Sequence, residues 1–285
     1  MIDKLSLGVV NKLTIEDRSE YGFYLCDREK KRVLLPNLYV KDRMSVGDEI
    51  EVFIYKDSED RVVATTLKPY ATLGEFAYLK VTDVTSFGAF LDWGLPKELL
   101  VPKKMQKNPL KISRKYIVYI TYDPQSDRLV ADTRIGRYLK NDPSSMKNLN
   151  RVDILIIAKT PLGYKVIANN KFEGMIYHSE IYENVKIGEK RTAYIKKIRD
   201  DSKLDLSLNP PKKMADEISK QKILNLLREK NSVLPFTYKS DPKEIRDCLG
   251  ISKKSYKRAL TALLQERQIE LGDDFIRLKK RISDK

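Results

Sequence analysis

The sequence predicts a mainly β protein with an α+β C-terminus, in which three tandem five-stranded barrels precede a module of three helices and a hairpin. Three observations predict this fold class. Apolar and polar residues alternate in short runs through the first 210 residues, as in half-buried strands. A set of landmarks recurs at an offset of 66 or 67 residues. After Pro211 the apolar period becomes helical.

The repeat is clearest between EYGFYLCD (20–27) and SFGAFLDW (86–93), which share an aromatic residue, a glycine, a second aromatic residue and a leucine in the same order. Each segment precedes an apolar run that ends in proline and, further on, a strand that begins DRVVAT or DRLVAD. A weaker third copy contains VDILIIAK (152–159) and EGMIYHSEI (173–181). About five short runs in each copy, with turn signals between them, favour small antiparallel barrels over βαβ units. We expect the barrels at 1–70, 71–143 and 144–210.

The last quarter, 213–285, predicts helices and a terminal hairpin. A first helix is expected from about Met214 to Lys230. Asp241 and Pro242 are typical of a second helix start and Gly250 of its end, and Ser252 is the expected cap of a third helix. The segments QIEL and FIRLKK, joined around Gly272, predict a β-hairpin. Three helices and a hairpin with a basic third helix look like a winged helix.

Composition excludes several classes of protein. Hydrophobic residues make up 41% of the 285 residues, which is enough for packed cores, and no apolar run is long enough to span a membrane. The start, MIDKLSLGVV, lacks the features of a signal peptide. Cys26 and Cys248 are the two cysteines, too few for a disulfide framework or a zinc ligand set. We therefore expect a cytoplasmic protein.

The net charge of +15 favours a polyanionic partner. The first 70 residues carry slightly more acidic than basic side chains, whereas the basic excess is largest over 213–285. A basic surface also occurs in soluble proteins that bind no nucleic acid, so charge alone does not identify the partner.

Enzyme chemistry has little support in the sequence. His178 is the one histidine, and no two glycines have the G-x-G spacing of a dinucleotide or phosphate loop. The pairs Asp200–Asp201 and Asp273–Asp274 stand in short polar breaks, where aspartate is an ordinary turn residue. We expect no enzymatic activity, no cofactor and no metal site.

The three β units resemble the S1 RNA-binding domain, a five-stranded OB-fold barrel. The resemblance lies in SFGAFLD (86–92), EGMIYHSEI (173–181) and KIRDDSKLDLSL (197–208), and the units cover about 200 of the 285 residues. The whole arrangement of barrels followed by a basic helical tail resembles the conserved virulence factor B family of Gram-positive bacteria. That family is described as RNA-binding and regulatory, so the resemblance implies binding of single-stranded RNA.

The resemblance also implies which residues hold RNA. Phe87 and Phe90 match the family's base-stacking pair, and Tyr21 and Tyr24 occupy the same places in the first copy. Residues three apart in a regular strand point to opposite faces, so we expect a bulge or kink at the intervening glycine to bring both rings to one face. The basic residues expected beside the groove are Lys103, Lys104, Arg128, Arg61 and Lys203.

The third copy departs from this pattern, because Leu162 and Lys165 stand where the aromatic pair is expected. Its expected contacts are Tyr164, Tyr177 and lysines, and a role as a spacer remains open. On the third helix of the winged-helix module, the expected nucleic-acid contacts are Lys254, Lys257, Arg258 and Thr261.

The sequence therefore predicts a protein that binds single-stranded RNA and acts as a post-transcriptional regulator. Two alternatives stay open. The winged helix is also typical of transcription regulators that bind duplex DNA. The barrels are also compatible with an adaptor that docks on the ribosome or RNA polymerase.

Overall fold

The computed structural model describes residues 5–147, 151–181 and 184–279, and its contacts divide the chain into two units, Met1–Leu206 and Ser207–Lys285. Three five-stranded sheets make up the first unit, and three helices with a three-stranded sheet make up the second. The predicted fold class is therefore confirmed.

The first barrel is a closed five-stranded sheet with the order β1-β2-β3-β5-β4. The strand bounds are β1 Val10–Ser19, β2 Gly22–Cys26, β3 Arg32–Pro36, β4 Glu49–Lys56 and β5 Val62–Thr65. Strands β3 and β5 run parallel, and the other pairs are antiparallel. Alternate residues such as Leu13, Leu25 and Ile54 point inward and are almost fully buried, as expected for one-sided strands.

The second barrel has the same strand succession but remains open at one seam, with the order β10-β9-β6-β7-β8. The strand bounds are β6 Phe76–Val84, β7 Gly88–Asp92, β8 Leu99–Pro102, β9 Lys115–Asp123 and β10 Arg128–Asp132. The edge strands β8 and β10 lie beside each other, so the sheet is curled although its hydrogen-bonded ladder stops there.

The third barrel is closed again, with the order β11-β12-β13-β15-β14. The strand bounds are β11 Arg151–Lys159, β12 Gly163–Ala168, β13 Phe172–Tyr177, β14 Lys190–Ile198 and β15 Leu204–Ser207. The aspartates Asp200 and Asp201 lie in the turn between its last two strands.

The first strand of every barrel carries a register shift at the corresponding position. The shifts lie between Ile15 and Asp17, between Val81 and Asp83, and between Ile156 and Ala158. A bulge increases local twist and bends a strand, so this strand can pair with two different neighbours around a small barrel.

The first two barrels share a packed junction. Phe53 of the first barrel and Trp93 of the second are both 2% exposed, and their rings meet edge to face with centroids 5.7 Å apart. The backbone N–H of Leu73 donates to the carbonyl of Gly8 at 2.7 Å. The junction therefore combines buried aromatic packing with a backbone hydrogen bond.

The second and third barrels meet around Asn170, in the turn between β12 and β13. Its side-chain oxygen accepts from the N–H of Phe76 at 2.8 Å, and its amide nitrogen donates to the carbonyl of Gly74 at 2.7 Å. Phe76 packs against Leu155 and Ile167 of the third barrel. One side chain thus satisfies two backbone groups of the neighbouring barrel.

The second unit has a single core between three helices and a small sheet with the order β16-β18-β17. The bounds are α1 Lys212–Glu229, β16 Val233–Leu234, α2 Pro242–Leu249, α3 Lys253–Gln265, β17 Ile269–Leu271 and β18 Ile276–Leu278. The expected hairpin is confirmed, although Lys280 of FIRLKK lies outside the described residues.

The predicted helix signals act as expected. The Asp241 side chain accepts from the N–H groups of Lys243 and Glu244, and Gly250 ends α2 with a φ of 60°. The Ser252 hydroxyl accepts from the N–H of Ser255 at the start of α3. Each cap satisfies backbone groups that a helix end leaves unpaired.

Candidate nucleic-acid interface

The second barrel presents two aromatic rings side by side on its outer surface. Phe87 is 58% exposed and Phe90 is half-buried. Their rings meet edge to face with centroids 5.8 Å apart and an interplanar angle of 88°, a favourable geometry for aromatic pairs. Both rings therefore reach the same outer face, as the sequence predicts.

A bend of the chain directly before Gly88, and not a bulge at this glycine, brings the two rings together. Phe87 lies in the turn before β7, where the N–H of Thr85 bonds the carbonyl of Gly88 at 2.8 Å, so strand alternation does not apply to it. The register shift lies on the partner strand β6. A Cβ on Gly88 would lie 2.5 Å from the carbonyl oxygen of Val101, so glycine lets β7 approach β8 closely.

The corresponding pair in the first barrel is arranged differently. Tyr21 is 64% exposed, whereas Tyr24 is half-buried and has the Arg32 guanidinium 4.5 Å from its ring centroid. Arg32 also pairs with Glu16 at 2.8 Å. One face of the Tyr24 ring is thus covered by a cation, which leaves less room for a stacked base.

The third barrel places an aliphatic side chain and a lysine at these positions. Leu162 is 66% exposed, and Lys165 lies 3.7 Å from Glu173. Tyr164 packs edge to face on His178, with ring centroids 5.8 Å apart. Tyr177 donates to Asp205 at 3.2 Å. The side chains of Tyr164 and Tyr177 are therefore engaged with neighbouring residues.

A cleft of about 220 Å³ opens beside the Phe87–Phe90 pair at the junction of the first two barrels. Three cationic side chains line it: Arg128 of the second barrel, Lys97 of the same barrel and Lys56 of the first. Exposed aromatic rings beside cations are the combination by which OB-type surfaces bind single strands.

Carboxylates of the β-hairpin tips already bind these cations. Asp60 of the first barrel accepts from Arg128 and, at 3.0 Å, from Lys97. Asp127 of the second barrel accepts from Lys56 at 2.6 Å. The hydrogen bond from Arg128 and that from Lys97 hold the pKa of Asp60 below its usual range, so the carboxylate is ionised at neutral pH and competes with any incoming phosphate.

The remaining basic residues predicted from the sequence differ in their surroundings. Lys103 is exposed, and its backbone N–H donates to the carbonyl of Phe87 at 3.0 Å. Lys104 lies 3.8 Å from Asp123. Arg61 pairs with Asp57 at 2.7 Å, and Lys203 with Glu173 at 3.3 Å.

The sequence did not indicate Lys56 and Lys97 as candidate contacts, because both lie outside the aromatic motif. Each acquires its place through a carboxylate of the other barrel, a contact with no local sequence signal.

The third helix of the second unit exposes three of its four predicted residues. Lys254, Lys257 and Thr261 lie on its exposed side, with the spacing of one helix face. Arg258 instead binds Asp216 of α1, with nitrogen–oxygen distances of 2.7 and 2.8 Å. The guanidinium of Arg258 is thus committed to an ion pair between two helices.

The described residues contain no group of three or more His, Cys, Asp or Glu side chains that could hold a metal ion. No helix within them is both long and apolar enough to cross a membrane.

Comparison with known families identifies the domains. The S1 domain model matches residues 7–67 and again 73–134, and a CvfB-like winged helix domain model matches residues 221–278. The chain is thus a protein of tandem S1 domains followed by a winged helix, and both are nucleic-acid-binding domain types.

The chain combines S1 domains with a CvfB-like winged helix domain, and the proteins it resembles along most of its length include conserved virulence factor B. Conserved virulence factor B of Staphylococcus aureus (strain USA300) is 27% identical over 262 residues, which cover 84% of this chain and 82% of that protein. YitL of Bacillus subtilis is 29% identical over 282 residues, 94% of this chain and 92% of YitL. A crystal structure of a multidomain protein with nucleic acid binding domains from Streptococcus pneumoniae is 24% identical, with a TM-score of 0.40, and the match covers 96% of this chain and 98% of that chain.

Proposed function

We propose that this protein binds single-stranded RNA and acts in the cytoplasm as a post-transcriptional regulator. The observation that carries the proposal is the contact between the exposed Phe87 ring and the half-buried Phe90 ring, at the mouth of a cleft lined by Arg128, Lys97 and Lys56. The protein would regulate by binding alone, without a chemical reaction. A bound RNA strand would be masked from other machinery or presented to it.

The two rings supply the base contacts. Their edge-to-face arrangement presents two differently oriented aromatic surfaces, so each can stack one base of an unpaired strand. Stacking contributes about 1–3 kcal/mol per base and tolerates sequence, because every base has a π face. A duplex keeps its bases stacked on one another and would gain nothing from these rings.

The cations supply phosphate contacts, in competition with the acidic hairpin tips. Lys103 is exposed directly beside the aromatic turn and forms no ion pair with a described residue. Arg128 and Lys97 must exchange Asp60 for phosphate. Because this exchange replaces one anion by another, we expect moderate affinity per barrel. Binding should still weaken as the salt concentration rises, since each phosphate that is neutralised releases counterions.

Several modules on one chain raise the total affinity above that of any one module. The winged helix adds an exposed basic face through Lys254 and Lys257. The Tyr21 ring of the first barrel offers a further stacking surface.

Fluorescence anisotropy with the full chain tests the proposal. A labelled pyrimidine-rich RNA of about twelve nucleotides, within the ~4–16 nucleotides that an OB fold occupies, is compared with a duplex DNA of the same length over a salt series. The proposal expects the RNA to bind more tightly at every salt concentration. Equal or tighter binding of the duplex would contradict it.

The exposed face of α3 supports a second candidate function, a transcription regulator that places Lys254, Lys257 and Thr261 in a DNA major groove. That function expects a preference for duplex DNA that the double substitution Lys254→Gln/Lys257→Gln abolishes. An adaptor of the ribosome or RNA polymerase would instead bind both oligonucleotides weakly.

A further inference from the structure

Two lysines lie directly opposite each other on the outer face of the second barrel. Lys80 of β6 and Lys115 of β9 are paired in the antiparallel ladder, and both are exposed. Like charges in this position destabilise a sheet. Neither ammonium group forms an ion pair with any residue that the structure describes.

The corresponding positions of the other barrels carry no such repulsion. The first barrel pairs Thr14 with Glu49, and the third pairs Leu155 with Lys190. All three pairs stand at the same distance from the bulge of the first strand. The shared barrel architecture therefore does not require two lysines here.

A third lysine, for which the described part of the chain also offers no ion pair, faces the same space. A cleft of about 360 Å³ between the second and third barrels is lined by Lys80, Lys115 and Lys190 together with Tyr78 and Asp92. The Lys115 ammonium lies 5.9 Å from the Tyr78 ring centroid. The Asp92 side chain accepts from the N–H of Gly94 at 3.0 Å, and one carboxylate does not neutralise three ammonium groups.

This cleft continues the surface that carries the aromatic pair. Phe90 and Asp92 lie two residues apart on β7 and so point to the same face. Asp92 is paired with Lys80 across the sheet, and Lys80 with Lys115. The outer face therefore leads from Phe90 across β7 and β6 to the lysines of β9.

We propose that Lys80, Lys115 and Lys190 bind phosphate groups of the same RNA strand whose bases stack on Phe87 and Phe90. This inference rests on the proposed function and extends it to a second subsite, at the junction of the second and third barrels. Phosphates there neutralise the repulsion between Lys80 and Lys115, so the bare protein carries a cost that the bound strand removes.

The test uses the full chain with Lys80→Gln/Lys115→Gln/Lys190→Gln and a charge-matched control, Lys41→Gln/Lys111→Gln/Lys171→Gln. The control takes one exposed lysine from each barrel, and none of them lines either cleft. Anisotropy is measured with an RNA of about 20 nucleotides and with one of about four, the lower end of an OB site.

The proposal expects the cleft variant to lower the salt slope for the long RNA by about 2, since each single-strand phosphate contact contributes about 0.7. The short RNA, held by the aromatic pair, should bind the cleft variant and the control alike. Equal slopes for the cleft variant and the control would overturn the inference.

Failure of the inference and failure of the proposed function give different results. Loss of binding in Phe87→Ala/Phe90→Ala but not in the cleft variant overturns the cleft site alone. Absence of RNA binding by the unmodified chain overturns both.

A stability measurement without RNA adds an independent check. Lys115→Glu replaces the opposed lysines by an opposite-charge pair and should raise the melting temperature while weakening long-RNA binding. An unchanged or lower melting temperature would contradict the repulsion on which the inference depends.

Discussion

Arg128 of the second barrel binds the carboxylate of Asp60, at the tip of the corresponding hairpin in the first barrel. Asp60 also accepts from Lys97. One acidic side chain of the first barrel therefore holds two cations that line the cleft beside Phe87 and Phe90. The first barrel thus contributes a carboxylate to the electrostatics of this cleft.

This relationship predicts that Asp60→Asn strengthens RNA binding. The substitution removes a competing carboxylate and leaves Arg128 and Lys97 available to phosphate. Because exposed ion pairs are weak, the expected gain is about two- to fivefold in affinity at low salt, measured by anisotropy. Asp42→Asn is the matched control, since Asp42 is an exposed carboxylate of the same barrel that does not line the cleft. Weaker binding by Asp60→Asn would indicate that the carboxylate positions the cations.

We expect the Asp132 carboxylate to make a pH-dependent contribution to the stability of the fold. Burial raises the pKa of its carboxyl, but hydrogen bonds from Arg134 and Tyr138 outweigh burial, and the pKa lies below its ordinary value. A lowered pKa stabilises the folded state above the unfolded value of about 3.9, and this stabilisation is lost as pH falls through the folded value. The difference in unfolding free energy between the unmodified chain and Asp132→Asn should be about 1–3 kcal/mol near pH 7 and should shrink below about pH 4.

Urea denaturation at pH 7, 5, 4 and 3 measures this difference. A gap that stays constant across the series would show that Asp132 does not act through its charge.

We expect the winged helix to tolerate substitution of Tyr256 by phenylalanine without loss of stability. Its side chain is fully buried, and its hydroxyl finds no hydrogen-bond partner in the described part of the chain. An unpaired buried hydroxyl costs about 1–3 kcal/mol. Tyr256→Phe should therefore leave thermal stability unchanged or increase it, as scanning calorimetry would measure. Clear destabilisation would mean that the hydroxyl has a partner.

We expect substitutions of the basic residues of α3 to separate RNA binding from stability. Lys254→Gln/Lys257→Gln removes exposed charge and should reduce the salt slope of RNA binding by about 1–2 without lowering the melting temperature. Arg258→Gln breaks the ion pair with Asp216 and should lower the melting temperature of the winged helix. If both variants lowered the affinity for RNA equally, Arg258 would have to be counted among the residues that contact RNA.

The sequence predicted the features that depend on local chemistry. The alternation of apolar residues predicted the strands, and the capping residues Asp241 and Ser252 predicted where two helices begin. The repeated aromatic–glycine motif located the ring pair that meets in the second barrel.

The features that sequence reasoning missed depend on contacts between distant segments. The bulge lies on β6, opposite the motif, because barrel closure bends the first strand and not the glycine-containing one. The Asp60–Arg128 pair joins residues 68 apart in the chain. The opposition of Lys80 and Lys115 follows from strand register, which a single sequence does not specify.

Truncation of the aromatic pair tests the central claim most directly. Phe87→Ala/Phe90→Ala is compared by anisotropy with Val46→Ala/Ile112→Ala, which truncates two apolar side chains that are 58% and 55% exposed and lie outside the cleft. If each ring stacks one base, the aromatic variant should bind a twelve-nucleotide RNA about 30-fold more weakly or worse, and the control should bind as the unmodified chain does. Equal affinities for the two variants would contradict the proposal that Phe87 and Phe90 hold RNA.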